Sequence, residues 1–270
     1  MSLMSFLENT VNTIFDAERP FSEWKLSDIA GAPAILLEES ESTHIYMKAH
    51  FTSLTPGALI VANSQTSGRG RHDRIWCSPI NKNLYFNLLL PLEGLQRHQY
   101  TQVMQVAAIT IAHLLQEIEV NASVKWPNDI LWEKHKISGM ISELLIHAPN
   151  EYLSLGIGIN VNSEASDFKN LNRLASSLRL ILKRPLNRGA LLQKIVNQMA
   201  LSLKRFKKEG VKPWIADWKK MDHFIGNEAR MIEGDTVIHG TIMDINDNGS
   251  LLFQTQNGEL MTRYSGDLEI

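Results

Sequence analysis

Residues 65–90 constrain the fold of this chain most, because a loop rich in glycine and arginine leads directly into a strongly apolar strand. Gly68 and Gly70 have no Cβ, so their backbone can adopt positive φ and bring N–H groups close to a ligand. Three arginines share the loop, namely Arg69, Arg71 and Arg74. Their planar guanidinium groups suit carboxylate and phosphate oxygens. The sequence therefore predicts a loop that closes over a small anion.

The composition is that of an ordinary globular protein. The chain has 270 residues, of which 44% are hydrophobic and 21% charged, and its formal net charge is −2. This balance lacks the general basic excess of nucleic-acid-binding proteins, and no apolar stretch has the length of a membrane span, so neither nucleic acid nor a membrane is expected as a partner. A single cysteine, Cys77, excludes an intramolecular disulfide and favours a cytoplasmic location.

The pattern of apolar residues predicts an α+β fold with a mixed, largely antiparallel sheet packed by helices. Strands are expected near residues 34–38, 58–62, 84–90, 123–126, 130–132, 137–146 and 152–161. Helices are expected near residues 101–118, 174–182, 191–209 and 212–221, and an amphipathic helix is expected before Pro20. This order differs from the strict alternation of strand and helix in a doubly wound sheet.

The last part of the chain has a different character. Short strands are expected near residues 229–232, 236–244, 250–254 and 259–263, separated by turns that contain Asn-Gly or Glu-Gly-Asp. This pattern predicts a small β-barrel of about fifty residues. We therefore expect two domains, one over residues 1–222 and the barrel over residues 223–270.

Polar residues cluster at the ends of two predicted strands. Ser42 and Thr43 follow the first strand, where they can cap a helix or contact a polar ligand. Asn128 and Asp129 lie in the segment Lys-Trp-Pro-Asn-Asp, at a turn between strands that turn chemistry alone would also explain. Each cluster therefore has a structural and a functional interpretation.

Two further segments place special residues inside strands. Lys136 opens a returning strand from which its long side chain can reach a site, and Gly139 indicates a bulge or a close ligand. Strict alternation would place these two on opposite faces, so we expect a bulge or a backbone contact at Gly139. In residues 156–162, Gly-Ile-Gly-Ile-Asn-Val-Asn, two glycines leave room beside the sheet for a ligand or for a packed helix.

These segments, in this order, resemble the biotin protein ligases, also called biotin–acetyl-CoA-carboxylase ligases. The resemblance is strongest over about residues 36–161 and extends more loosely to the predicted barrel. It implies a class II synthetase-like catalytic domain with a C-terminal SH3-like β-barrel. It also implies an enzyme that uses ATP to convert biotin to biotinyl-5′-AMP and transfers biotin to a lysine of the biotin carboxyl carrier protein of acetyl-CoA carboxylase. Mg²⁺ is expected with ATP, without a metal site on the protein.

The resemblance implies a role for each matching residue. The catalytic residues are Lys136, which contacts the biotin carboxylate and phosphoryl oxygens, and Arg71, which retains the adenylate. The expected biotin-binding residues are Ser42, Thr43, His44, Gln65, Arg69, Gly70, Arg71, Lys136 and Gly139. The expected ATP- and adenylate-binding residues are Arg71, Arg74, Trp76, Asn128, Asp129 and Asn160. Asp129 is also positioned in the sequence to help deprotonate the incoming lysine.

Two positions depart from the family pattern. His44 stands where the family commonly has Asn after Ser-Thr, which leaves the third contact of that turn open. Asn81 stands where a glycine is usual before the run Asn-Leu-Tyr, and we expect it to adopt the left-handed conformation that asparagine tolerates.

Three alternative functions are weighed against this one. Lipoate ligation shares the sheet and the adenylation chemistry, but the segments Gly-Arg-Gly-Arg and Lys-Trp-Pro-Asn-Asp favour biotin. Repression of biotin-synthesis genes is disfavoured, because too little sequence precedes the first strand for a winged helix. A non-catalytic binding module would leave Lys136 and Arg71 unexplained. The oligomeric state, monomer or homodimer, stays open, although an exposed edge strand would suit both dimerisation and carrier docking.

Overall fold

Two β-sheets organise the part of the chain that the computed structural model describes, residues 13–72, 74–171 and 173–270. The larger sheet has seven strands in the order β1-β2-β3-β7-β6-β5-β4. These strands are β1 Ile35–Leu37, β2 Leu59–Ala62, β3 Leu84–Pro91, β4 Ala122–Lys125, β5 Asp129–Trp132, β6 His135–His147 and β7 Asn150–Ile159. Only β1 and β2 pair in parallel, so the predicted mixed, largely antiparallel sheet is confirmed.

Helices cover the larger sheet and enclose the main hydrophobic core. They are α1 Thr43–His50, α2 Tyr100–Glu117, α3 Leu178–Leu182, α4 Arg188–Glu209 and α5 Lys212–Met221. Helix α2 is apolar over most of its circumference and is buried from Gln102 to Ala112, as expected for a helix enclosed by the sheet and other helices. Strand β3 is buried on both faces, which explains its continuous apolar run.

One predicted helix differs from the structure, and another falls mostly outside the described residues. The helix predicted from residue 174 begins only at Leu178, where the Ser177 side chain accepts a hydrogen bond from Leu180 N. Its first residues instead pair with the start of β6, because Lys136 N donates to Leu174 O at 3.0 Å. The predicted N-terminal helix lies mostly outside the described residues, apart from a short 3₁₀-helix over Thr13–Phe15.

The smaller sheet contains the strands predicted near the C-terminus. It is antiparallel with the order β11-β10-β9-β8-β12. Its strands are β8 Glu228–Glu233, β9 Thr236–Ile245, β10 Leu251–Thr255, β11 Leu260–Arg263 and β12 Asp267–Glu269. Strand β12 is not predicted from the sequence, since three residues are too short to show a period. The strand order leaves β11 and β12 at the two ends, so barrel closure stays a prediction.

The turn between β9 and β10 docks onto helix α2 and onto Trp126, which follows β4. Gly249 O accepts hydrogen bonds from Gln105 Nε2 at 2.6 Å and from the buried Trp126 Nε1 at 3.1 Å. Gln102 Nε2 donates to Asn248 O at 2.9 Å. These contacts place the start of β12 beside the glycine–arginine loop. Among the described residues, none of the helices combines the length and hydrophobicity that a membrane span requires.

Candidate active site

A cavity of about 60 Å³ lies between the start of α1, the glycine–arginine loop, strands β5 to β7 and the start of β12. Every predicted site residue except Asn160 lines this cavity, together with Arg173 and Asp267. Five of the lining side chains are arginine or lysine and two are aspartate. Because this leaves an excess of positive charge, the cavity suits an anionic ligand.

The start of α1 supplies a polar wall of the cavity. Ser42 is the N-cap of α1, and its hydroxyl oxygen accepts a hydrogen bond from His44 N. The Gln65 side chain accepts from Thr43 N at 2.8 Å and donates to Ser78 Oγ at 2.8 Å. The capping interpretation of Ser42 is therefore confirmed, and the Gln65 amide has a defined orientation because it bridges α1 and the loop.

The glycine–arginine loop is closed by its own backbone. Gly70 N donates to Arg74 O at 2.7 Å, and Trp76 N donates to Gly68 O at 2.8 Å. Neither glycine uses the positive φ that is open to it; among the described residues of the loop, His72 adopts the left-handed conformation, with φ of 52°. Gly68 is instead required by close packing, because a Cβ there would lie 2.7 Å from Ser78 Oγ.

Lys136 and Gly139 lie on the same face of the sheet because β6 contains a β-bulge. The register between β5 and β6 shifts after Ile130 and passes over Ile137. One extra residue reverses the alternation, so the Lys136 side chain crosses Gly139. A Cβ on Gly139 would lie 2.7 Å from Lys136 Cε. The bulge that would reconcile Lys136 with Gly139 is therefore confirmed.

The Lys136 ammonium lies between a carboxylate and an aromatic ring. Its Nζ is 2.5 Å from Asp129 Oδ1 and 5.6 Å from the centroid of the Trp76 ring. Both members of the ion pair are largely buried, with side-chain exposures of 16% and 21%. Screening by water is weaker here than at the surface, so a substrate anion that replaces Asp129 would experience a strong local charge.

Two cross-strand glycines make room for Trp76. Gly139 and Gly158 are directly opposite each other in β6 and β7. A Cβ on Gly158 would overlap the Trp76 ring, and one on Gly139 would lie 3.1 Å from it. The space beside Gly158 therefore receives a loop side chain rather than a helix, whereas the space beside Gly156 is bordered by Ile141 and Asn87. Trp76 Nε1 is buried and has no hydrogen-bond acceptor within the described ranges, so it is a free donor at the cavity.

Gly158→Ala is expected to displace Trp76 and to raise the KM for nucleotide more than the KM for the second substrate. Overpacking typically costs about 1–3 kcal/mol, which corresponds to roughly 5- to 150-fold. Steady-state kinetics with each substrate varied in turn measure this change. In a Trp76→Leu background the same alanine should have little effect. An equal loss in both backgrounds would show that Trp76 is not what occupies the space.

Asp267, at the start of β12, holds two arginines of the loop. Arg74 Nη2 lies 2.7 Å and Arg71 Nη1 3.5 Å from its carboxylate oxygens, and Arg71 Nη1 also donates to Gly266 O at 3.0 Å. Burial lowers the pKa of Arg71, while Asp267 and Asp129 oppose that change. No motif indicates Asp267, because it is brought to the loop only when the smaller sheet docks.

The two predicted asparagines differ in position. Asn128 is buried at the cavity, where its Nδ2 donates to Met140 O at 2.6 Å. Asn160 lines a smaller adjoining cavity with Lys136 and Trp76. Its Nδ2 donates to Ser176 O at 3.1 Å and to Lys136 O at 3.4 Å. Asn160 thus supports the backbone of Lys136, and its contact with nucleotide stays a prediction.

Comparisons with known proteins agree with this geometry. Residues 36–160 match the Biotin/lipoate A/B protein ligase family. The bifunctional ligase/repressor BirA of Salmonella typhimurium is 29% identical over 259 residues, which cover 95% of this chain and 78% of that protein. The biotin–[acetyl-CoA-carboxylase] ligase of Mycobacterium tuberculosis is 22% identical over 218 residues, or 78% of each chain. The structure of biotin protein ligase from Aquifex aeolicus in complex with biotin and ATP is 29% identical and covers 87% of this chain and 97% of that one, with a TM-score of 0.76.

The chain belongs to the biotin protein ligase family. Its catalytic fold is the biotin ligase α+β fold, and it is a ligase. The two departures from the pattern of biotin protein ligases are accommodated differently. Asn81 adopts φ of 61°, as predicted, and its Oδ1 accepts from Asn63 Nδ2 at 2.8 Å. His44 lines the cavity, and its ring nitrogens contact Glu143 on one side and the buried Ser154 and Asn87 on the other, partners that no sequence pattern indicates.

Proposed function

We propose that this chain adenylates biotin with ATP and transfers the biotinyl group to a lysine of a carrier protein. The observation that carries the proposal is one cavity in which Lys136, Arg71 and Arg74 face the polar wall formed by Ser42, Thr43 and Gln65. The cationic side suits a carboxylate and phosphates, and the polar wall suits the ureido ring of biotin. The relative from Aquifex aeolicus is known in complex with both biotin and ATP.

In the first step the biotin carboxylate attacks the α-phosphorus of ATP, and the bond to pyrophosphate breaks. The barrier comes from bringing two anions together, so fixed cations are the main contribution of the protein. Lys136 exchanges its contact with Asp129 for the reacting oxygens, while Arg71 and Arg74 leave Asp267 for the phosphates. Both carboxylates that line the cavity are paired with lysine or arginine. We therefore expect Mg²⁺ to enter the site bound to the phosphates of ATP rather than to a carboxylate of the protein.

In the second step the amine of the carrier lysine attacks the acyl carbon of biotinyl-5′-AMP. The bond from the acyl carbon to the phosphate oxygen breaks, AMP leaves, and the lysine gives up a proton. Asp129 is freed from Lys136 when that ammonium contacts the acyl phosphate, so we assign it to assist this deprotonation. The M. tuberculosis relative is named for acetyl-CoA carboxylase, and we propose the carrier protein of that enzyme as the acceptor.

The free edge of β6 is the proposed docking surface. Strand β5 pairs with β6 only as far as Gly139, so residues 141–147 have a strand neighbour on one side among the described residues. Leu144 and Ile146 are exposed there, at 38% and 58%. An edge of this kind pairs readily with a strand of another chain. We propose that it receives the carrier or a second copy of the chain.

We also propose a division into two domains. Residues 1–222 form the catalytic domain, and residues 223–270 form an SH3-like barrel that supports the glycine–arginine loop.

Biotin-dependent exchange between ATP and labelled pyrophosphate tests the function directly. We expect exchange with biotin and none with lipoate, followed by a mass increase of one biotinyl group on the carrier domain. Exchange with lipoate alone would replace biotin as the substrate, and binding of biotin without exchange would indicate a non-catalytic module. A gel shift with the promoter of the biotin operon tests the repressor alternative.

A further inference from the structure

A chain of hydrogen-bonded side chains crosses the larger sheet beside the cavity, and we call it the His44 network. His44 Nε2 is 2.9 Å from Glu143 Oε2, and Glu143 Oε1 is 2.5 Å from Lys48 Nζ. On the other side of the ring, His44 Nδ1 is 3.3 Å from Ser154 Oγ and 3.4 Å from Asn87 Nδ2. Ser154 and Asn87 are completely buried. The network therefore joins α1 to β6, β7 and β3 through one imidazole.

The partners determine the protonation state of His44. The Glu143 carboxylate can only accept, so Nε2 carries the hydrogen. The Ser154 hydroxyl donates to Asn87 Oδ1 at 3.1 Å, which orients the Asn87 amide so that its Nδ2 donates toward His44, and Nδ1 therefore acts as an acceptor. Protonation would place a second N–H against the Asn87 amide donor, which is buried and cannot turn to water. The neutral Nε2–H tautomer is thus the form that fits.

His44 is also part of the wall between two cavities. Besides the 60 Å³ cavity, it lines an adjoining groove of about 740 Å³, together with Arg69, Gly70, Arg71 and Ile141. The small cavity and the groove therefore share His44 and these four residues as a common wall. Within this wall, the orientation of His44 is set by hydrogen bonds to both of its ring nitrogens.

We propose that His44 is a positioning residue for biotin, which packs against the neutral imidazole as the Lys48–Glu143 pair and the buried Asn87 and Ser154 hold the ring in place. The proposal rests on the proposed function, because biotin must occupy this cavity. An asparagine, common at this place in the family, is too short to span from α1 to Glu143 and also reach Asn87. The affinity of this chain for biotin should therefore depend on the protonation state of His44.

The charged groups that face His44 influence its pKa. They are Glu143 from β6, Lys48 from α1 and Arg69 from the loop. Burial lowers the pKa of His44, Glu143 opposes this, and Lys48 and Arg69 add to it. Burial would raise the pKa of Glu143, but Lys48 and His44 together hold it below its usual range. His44 consequently stays neutral at neutral pH and gains a proton only below the ordinary histidine value of about 6.5.

The test is the pH dependence of substrate affinity between pH 8.0 and 5.5, measured as the KM for biotin and for ATP in the exchange reaction. In the natural protein we expect the KM for biotin to be constant at neutral pH and to rise at acid pH. The rise approaches about tenfold per pH unit once His44 is protonated. The KM for ATP should not follow it. His44→Asn should abolish this rise, and His98→Asn, at an exposed histidine, should retain it.

Glu143→Gln gives a sharper second variant. Removing the carboxylate charge takes away the interaction that raises the pKa of His44, so the rise in the KM for biotin should move to lower pH. A merely structural role for Glu143 would weaken affinity equally at all pH values. The proposal is overturned if His44→Asn leaves the acid rise unchanged or if Glu143→Gln moves the rise to higher pH. Absence of biotin-dependent exchange at every pH in the natural protein would instead overturn the proposed function.

Discussion

Lys136→Ala is expected to reduce the rate of biotinyl-adenylate formation by about 10²- to 10³-fold, as is typical when one fixed charge-stabilising donor is removed. Lys136 is the cation that crosses Gly139 into the cavity, and it is held there by Asp129 and the Trp76 ring. No other lysine lines this cavity among the described residues. Single-turnover formation of the adenylate from ATP and biotin measures the effect without the transfer step.

Two variants separate this loss from loss of structure. Lys136→Met keeps the aliphatic packing over Gly139 and should lose activity to the same extent as the alanine variant. Lys134→Ala, at an exposed lysine of the same hairpin, should retain full activity. Near-normal adenylate formation by either Lys136 variant would show that the ammonium is not needed in the first step.

Arg71→Gly is expected to release the adenylate before the carrier arrives. An Arg–phosphate hydrogen bond contributes about 1.5–3 kcal/mol, so the intermediate should dissociate roughly 10 to 150 times faster. Free biotinyl-5′-AMP is a reactive mixed anhydride that acylates exposed lysines. We therefore expect biotin on bystander proteins, detected by mass spectrometry in a mixture of the carrier domain and an unrelated lysine-rich protein.

The matched control for Arg71→Gly is His72→Gly. His72 is the next residue of the loop and already has φ of 52°, so glycine fits its backbone without strain. This variant makes the loop more flexible but retains the Arg71 guanidinium. Selective labelling of the carrier by His72→Gly and indiscriminate labelling by Arg71→Gly would assign retention to the side chain. Equal loss of selectivity in both variants would assign it to loop rigidity.

Much of the architecture could be predicted because it depends on local physics. Period-two and helical patterns of apolar residues located nearly all of the strands and helices, and Asn-Gly turns located the hairpins of the smaller sheet. Ser42 as a cap and Asn81 in the left-handed conformation also follow from the preferences of single residues. The helix predicted from residue 174 failed for the opposite reason, since pairing with Lys136 overrides the local preference.

The contacts that complete the site could not be predicted from local sequence patterns. Arg71 and Gly266 are 195 positions apart, and they meet because the β9–β10 turn docks on α2 and on Trp126. The placement of Lys136 depends on a single bulge in β6, which a strand period cannot locate.

By itself, the sequence determined the order of the elements and the chemistry of the loop, the lysine and the glycines, because these depend on neighbours along the chain. Only the tertiary structure decided which carboxylates face these cations and how His44 is oriented. Those contacts depend on the docking of two sheets and on the pairing of distant strands, and neither leaves a periodic signal in the sequence.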